Sequence, residues 1–330
     1  MDRYKLTYSK AIYNSFDYLL KNYPEVFVIG QGLWSPWYVG NTMNSLEIKY
    51  GKDRIIDTPV SESACTGAAV GASICGMKPI VIHPRMDFML YAMDPIINQA
   101  AKWSYMFGGQ TNASLTIRGI INRGGEQGAQ HSQALHSLFA HIPGLRVVMP
   151  ASVKDARDLF ISSVLCKDPV LYIDDRWIYD LEEYVDPIEI LDLSSEGPNI
   201  HKLGERITVV TSGYSTYLVR KTIESNLMKS YQKDIELIDL RILNPIKPEI
   251  IINSVLKTKN LLVVDGGWKN CGLASEIIAS VTENIPPGLL KNPPKRICLP
   301  DCPAPTSRKL EEEYYPSEEK ISRKIKEMLK

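Results

Sequence analysis

Apolar residues recur at helical spacing over residues 5–22, where Ile12, Phe16, Leu19 and Leu20 share one face. An unbroken apolar run at 26–30, Val-Phe-Val-Ile-Gly, then predicts a short buried strand. The two signatures go on alternating. Strands are expected at 54–60, 78–83, 114–120, 145–150 and 169–175, with helices at 62–76, 93–109 and 152–165 between them. The helix at 62–76, Glu-Ser-Ala-Cys-Thr-Gly-Ala-Ala-Val-Gly-Ala-Ser-Ile-Cys-Gly, is built of small residues and can pack very closely against neighbours. Strands alternating with helices predict a parallel α/β layer.

The rhythm fails over residues 181–205, which are polar, carry prolines and contain a Ser-Ser-Glu-Gly-Pro turn. A second alternation follows: strands at 207–213, 235–243 and 260–268, helices at 215–229 and 273–285, and a charged helix at the end. The expected organisation is α/β with two parallel-sheet domains, at 1–185 and 205–330, joined by a linker at 186–204. Repeats and low-complexity segments are absent.

Composition narrows the function. The chain has 330 residues, 44% of them apolar, with 38 basic against 38 acidic side chains. Zero net charge argues against a nucleic-acid partner recruited by bulk charge. It also suits a chain that associates with others. No stretch approaches the length of a membrane helix, and the start of the chain has neither an apolar signal core nor transit character, so a cytoplasmic protein is expected. The cysteines Cys65, Cys75, Cys166, Cys271, Cys298 and Cys302 show no zinc spacing and are expected as free thiols.

Three of the five histidines, His131, His136 and His141, lie five residues apart within 126–145. Ligands on one helix face stand three or four apart, so one helix cannot aim all three at one ion, and Pro143-Gly144 ends any helix there. What remains is one functional histidine with bystanders, or bystanders only.

Several segments together resemble a known family. Asp57-Thr-Pro-Val-Ser-Glu62 with the small-residue helix after it, the run Met93–Gly109, the loop Gln130-His-Ser-Gln133 continuing to His141-Ile-Pro-Gly144, and the strands Leu237–Ile246 and Asn260–Trp268 keep the order of the β subunits of thiamine-diphosphate-dependent 2-oxo acid dehydrogenases. The resemblance covers most of the chain after about residue 26. It implies a thiamine-diphosphate pyrimidine-binding domain followed by a transketolase C-terminal-like domain, in an α2β2 heterotetramer with β–β contact. The α subunit would hold the diphosphate and Mg²⁺, and this chain the aminopyrimidine ring. A lipoyl acyltransferase and a small 2-oxo acid are the further partners implied. The diphosphate motif itself, Gly-Asp-Gly continuing to Asn-Asn, is not present; the string Asp265-Gly266-Gly267-Trp268 is a decoy for it.

The resemblance also implies roles. Glu62 matches the glutamate that drives the aminopyrimidine to its imino tautomer, and Ser61 beside it joins the cofactor-binding set. Read without the family, Glu62 is an acid favoured near a helix N-terminus. Phe88 matches the ring that packs on the aminopyrimidine, or else is an ordinary core residue. His131 matches the histidine facing the reacting carbons, where it would stabilise charge and assist acyl transfer. His136 reads as a bystander, His141 as structural, Arg118 as structural, and His83 as lining the pocket or bonding a loop. Backbone carbonyls near Leu115, Cys166 and Asp168 would surround a K⁺ ion. Departures from the family cluster near the expected pocket: Gln31 where an acid is usual, Pro84, the aromatic segment 33–41, and Asp265-Gly266.

The function expected is decarboxylation of a 2-oxo acid with acyl transfer to a lipoyl carrier. The alternative is a two-subunit transketolase-like transferase acting on a sugar or aldehyde acceptor. A catalytically dead regulatory partner is a third class, and retention of Glu62, Phe88 and His131 argues against it.

Overall fold

The structure is a computed structural model and describes residues 3–330. The chain divides into two compact units. One comprises the chain up to Asn122 together with Phe139–Glu196, and the other Arg123–Leu138 together with Gly197–Lys330.

In the first unit the elements run β1 (Tyr4–Thr7), α1 (Tyr8–Asn22), β2 (Val26–Gln31), α2 (Leu46–Tyr50), β3 (Ile55–Thr58), α3 (Glu62–Ile74), β4 (Lys78–His83), α4 (Ala101–Met106), β5 (Thr116–Ile121), then, after α5 (His136–Ala140), β6 (Arg146–Val148), α6 (Val153–Leu165), β7 (Val170–Asp175) and β8 (Glu182–Val185). Six of the strands are parallel neighbours in the order β6-β7-β5-β4-β2-β3, and β1 pairs antiparallel with β8. The first helix starts at Tyr8 rather than at residue 5. Thr7 is extended, and its side chain accepts from the Lys10 N–H, so the cap sets the boundary. The stripe on α1 is buried, and Phe16 meets Phe160 of α6 edge-on at 4.9 Å. That helix is buried on nearly every side.

The segment expected as one helix at 93–109 is wound in pieces. A 3₁₀ stretch at Met86–Ala92 leads into it, a π-helix covers Asp94–Ala100, and α4 carries it to Met106. Pro95 stands in the first turn of the π-helix, where a missing N–H costs no hydrogen bond, and the wider turn is not encoded in the apolar periodicity.

The second unit holds β9 (Asn199–Lys202), β10 (Ile207–Thr211), α7 (Tyr214–Glu224), β11 (Ile235–Asp239), β12 (Ile242–Asn244), α8 (Glu249–Thr258), β13 (Leu261–Trp268), α9 (Leu273–Thr282), β14 (Lys295–Leu299), α10 (Arg308–Tyr314) and α11 (Glu318–Leu329). Its sheet runs β14-β13-β10-β11-β9, parallel except for β9. Strand β9 comes from the segment expected to be a linker, and α8 and β14 were not anticipated. Ile207, Val209, Leu237, Leu262 and Val264 form one face of the core, covered by Val219 of α7 and by Ile321 and Ile325 of α11. The charged terminal helix is therefore amphipathic and closes this core.

Candidate active site

In the first unit, the C-terminal ends of β2, β3 and β4 meet the start of α3 around a shallow, open cleft. Ligands collect at this end of parallel strands, where helix N-termini and loops converge. Ser61, Glu62 and Phe88, drawn from two different segments, all line it. Glu62 is the first residue of α3 and half-buried, with its carboxylate at the positive end of the helix. It is the one carboxylate among the described residues lining the cleft. Ser61 is exposed and donates to the Val60 carbonyl at 2.7 Å.

Around these lie further groups, among them Gln31, the aromatic segment and His83 that sequence reading singled out, and Thr66 and Arg85 that it did not. Tyr38, from the aromatic segment, takes the Gln31 Nε2–H at 2.7 Å, so the residue standing where an acid is usual is engaged in a neutral hydrogen bond. The segment is fixed rather than loose: the Gly32 N–H donates to Asp57 at 2.6 Å, Trp34 Nε1 donates to the Ile55 carbonyl at 2.9 Å, and Val39 is buried. His83 lines the cleft and pairs with the Thr66 hydroxyl of α3 at 3.2 Å. Burial lowers its pKa to about 4, so it is a neutral imidazole at neutral pH. Arg85 is the one guanidinium in the lining, its pKa lowered first by burial and then by the nearby Arg176. Thr66 and Arg85 leave no local sequence signal, because only folding brings them to the cleft.

Below the cleft, Arg118 and Asp174 form a fully buried pair through Nε at 3.1 Å and Nη2 at 2.7 Å. Arg118 also donates to Thr42 at 2.8 Å and to Tyr179 at 2.9 Å, which ties the end of the aromatic segment to the sheet. Leu115 gives its carbonyl to the Val170 N–H at 3.0 Å, Asp168 is engaged by Arg146 at 2.6 Å, and the Asp168 N–H points to Cys166 Sγ at 3.3 Å. These contacts add no ligand set to the K⁺ expectation, which rests on the resemblance. Among the described residues no group of three or more His, Cys, Asp or Glu could hold a metal ion. Among the described residues no helix is long and apolar enough to cross a membrane, and all six cysteines are unpaired.

His131 belongs to the second unit, half-buried on the loop that follows Arg123, with its N–H on the Gly128 carbonyl at 3.3 Å. His136, expected as a bystander, lies in the interior of this unit. It is completely buried, and its Nε2 lies 2.8 Å from Asp265 Oδ1. Burial alone would raise the Asp265 pKa; His136 beside it, the Gly267 N–H and Arg123 outweigh this and lower it, so Asp265 is a carboxylate and Nε2 carries the proton. His141 is exposed, on the turn before Pro143-Gly144. Lys102 donates to the Pro143 carbonyl at 2.5 Å, and Gly144, at φ +88°, lies so close to the Ala101 carbonyl that a Cβ would stand 1.9 Å from its oxygen.

Comparison with known proteins matches this arrangement to a family. A family model described as transketolase, pyrimidine binding domain, matches residues 4–178, and one described as transketolase, C-terminal domain, matches residues 197–321. The acetoin:2,6-dichlorophenolindophenol oxidoreductase subunit beta of Cupriavidus necator is 35% identical, covering 99% of this chain and 98% of the relative. The mitochondrial pyruvate dehydrogenase E1 component subunit beta of Saccharomyces cerevisiae is 31% identical over 98% of this chain and 89% of its own. Among solved structures, an inactive β4 tetramer of a split-gene transketolase superposes with a TM-score of 0.78 at 19% identity, covering 98% of both chains, which shows the shared fold. The chain belongs to the transketolase-like family of thiamine-diphosphate-dependent 2-oxo acid dehydrogenase β subunits.

Proposed function

We propose that this chain is the β half of an α2β2 enzyme that decarboxylates a 2-oxo acid and passes the acyl unit to a lipoyl carrier. The observation that carries the proposal is the convergence of Ser61, Glu62 and Phe88 on one cleft at the head of α3. The lining fits the aminopyrimidine end of thiamine diphosphate: an aromatic ring for a flat heterocycle, one carboxyl group for a ring nitrogen, and a neutral imidazole that adds no charge. When bound, that cofactor supplies the electron sink for breaking the bond beside a carbonyl.

Each residue then has a task. Glu62 holds a proton towards the ring nitrogen. Phe88 packs on the ring and excludes water from it. His131 stabilises charge as CO₂ leaves and assists acyl transfer. The diphosphate and Mg²⁺ fall to the α subunit. Exposed Ala64, Gly67, Ala68 and Gly71 on α3, with exposed Tyr105, Met106 and Phe107, leave a surface suited to subunit association. The curated relatives, named as dehydrogenase and oxidoreductase β subunits, favour this reading over a transferase acting on sugars. Six unpaired cysteines suit a reducing compartment, and a cytoplasmic location is proposed.

The test is Glu62→Gln in the enzyme assembled with its α subunit. An amide cannot supply the proton, so turnover should nearly vanish, while circular dichroism stays that of the wild type because the change is almost isosteric. Normal turnover by a folded Glu62→Gln enzyme would exclude the role.

A further inference from the structure

We infer that Asp265 and His136 are positioning residues that hold the His131 loop, with the Asp265-Gly266-Gly267 segment as the dock on which both ends of that loop close. The inference rests on the reading of His131 as a catalytic group and adds to it the device that sets its place.

The dock is a break in the sheet. Along β13 the pairing with β14 runs Val264 to Ile297 and then Trp268 to Leu299, so four steps on one strand face two on the other. The two extra residues leave the ladder between Val264 and Trp268. Such bulges re-aim side chains, and they are common beside functional sites. Here they present the Asp265 carboxylate and the Gly266 carbonyl to a single loop. Arg123 opens that loop and donates from Nη1 to the Gly266 carbonyl at 2.9 Å. His136 closes it on Asp265 at 2.8 Å. His131 lies between the two. The Ser137 hydroxyl, next to His136, takes the Leu273 N–H at 2.9 Å, and the Glu126 N–H donates to Glu311 at 3.1 Å.

The two glycines are part of the device. A Cβ on Gly266 would stand 2.7 Å from Arg123 Nη1, and one on Gly267 would stand 3.0 Å from His136 Cε1. Larger residues at these positions would push away the side chains that close the loop. This accounts for the string that mimics a diphosphate motif in the sequence. The pair is also costly in a way that plain packing does not require: His136 Nδ1 and Asp265 Oδ2 are buried without a hydrogen-bond partner among the described residues.

The test has two arms. In the first, the purified full chain is treated with trypsin, and cutting after Arg123 is followed by mass spectrometry. Arg123 is 4% exposed and is held through the dock. His136→Phe should speed that cut about tenfold or more, the equivalent of losing a hydrogen bond to a charged group, with cuts elsewhere unchanged. His136→Gln, which keeps a donor, should restore much of the protection. Should His136→Phe not fold, Gly267→Ala displaces the ring without stranding a charge and should show the same local opening. An unchanged rate at Arg123 in a folded variant overturns the inference. In the second arm, kcat with acetoin and with pyruvate, using 2,6-dichlorophenolindophenol as acceptor, is measured in the assembled enzyme for His136→Phe, His131→Ala and the double variant. If His136 acts through His131, the double variant falls no lower than His131→Ala. Multiplying losses would show that His136 acts independently and overturn the positioning role. Normal kcat in His131→Ala would instead refute the catalytic reading of His131, while the trypsin arm still judges the dock.

Discussion

Replacing Asp174 with Asn keeps the shape of the side chain and removes the charge that Arg118 depends on. Both side chains are fully buried, and the guanidinium has two contacts with that carboxylate, at 3.1 and 2.7 Å. Thr42 and Tyr179 remain beside Arg118, but neither carries a charge. Arginine cannot escape by losing its proton. The variant therefore leaves an uncompensated buried cation, which costs about 3–5 kcal/mol. At about 2–4 °C per kcal/mol for a unit of this size, the melting transition should fall by about 6–20 °C. Asp168→Asn is the matched control. Its partner Arg146 is also close, at 2.6 Å, and 10% exposed, but the Asp168 side chain is 49% exposed and Arg146 keeps the Leu193 carbonyl at 3.0 Å, so the loss should be clearly smaller than in Asp174→Asn. Thermal melting of the three proteins in one buffer decides the point. Equal shifts in the two variants, or an unshifted Asp174→Asn, would refute the argument that burial sets the worth of these pairs.

Two further outcomes are expected. His83 is buried neutral, its pKa lowered from 6.5 to about 4, so the unfolded chain binds its proton first as pH falls. The stability this contributes is complete above pH 6.5 and is lost on the way down to pH 4, by about 3 kcal/mol; urea midpoints should show His83→Gln with a shallower acid slope than wild type, and parallel slopes would sink the idea. Gly144→Ala would place a methyl 1.9 Å from the Ala101 carbonyl oxygen at a positive φ, so the turn must shift; an equilibrium unfolding loss below about 1 kcal/mol would contradict that crowding.

Much of the fold was legible because its signals are local. The stripe on α1, the small-residue run of α3 and the apolar strands each fit inside 15 residues. Glu62 and Phe88, which line one cleft, were singled out only through resemblance, since neither residue type nor spacing marks them alone. What escaped the sequence is long-range. His136 and Asp265 are separated by 129 positions, and spacing among histidines on one segment carries no information about a carboxylate on another strand. Apolar periodicity likewise records neither the π-helical turn at Asp94–Ala100 nor the start at Tyr8, which the Thr7 hydroxyl caps.

The central claim is that this chain is half of an active site. The most direct measurement is calorimetric titration of thiamine diphosphate with Mg²⁺ into the purified chain, into its purified α subunit, and into the two together, with turnover assayed in the same samples. Weak binding and no turnover are expected for the chain alone, and tight, Mg²⁺-dependent binding with turnover for the assembled pair. Tight Mg²⁺-dependent binding and turnover by the chain alone would contradict the claim.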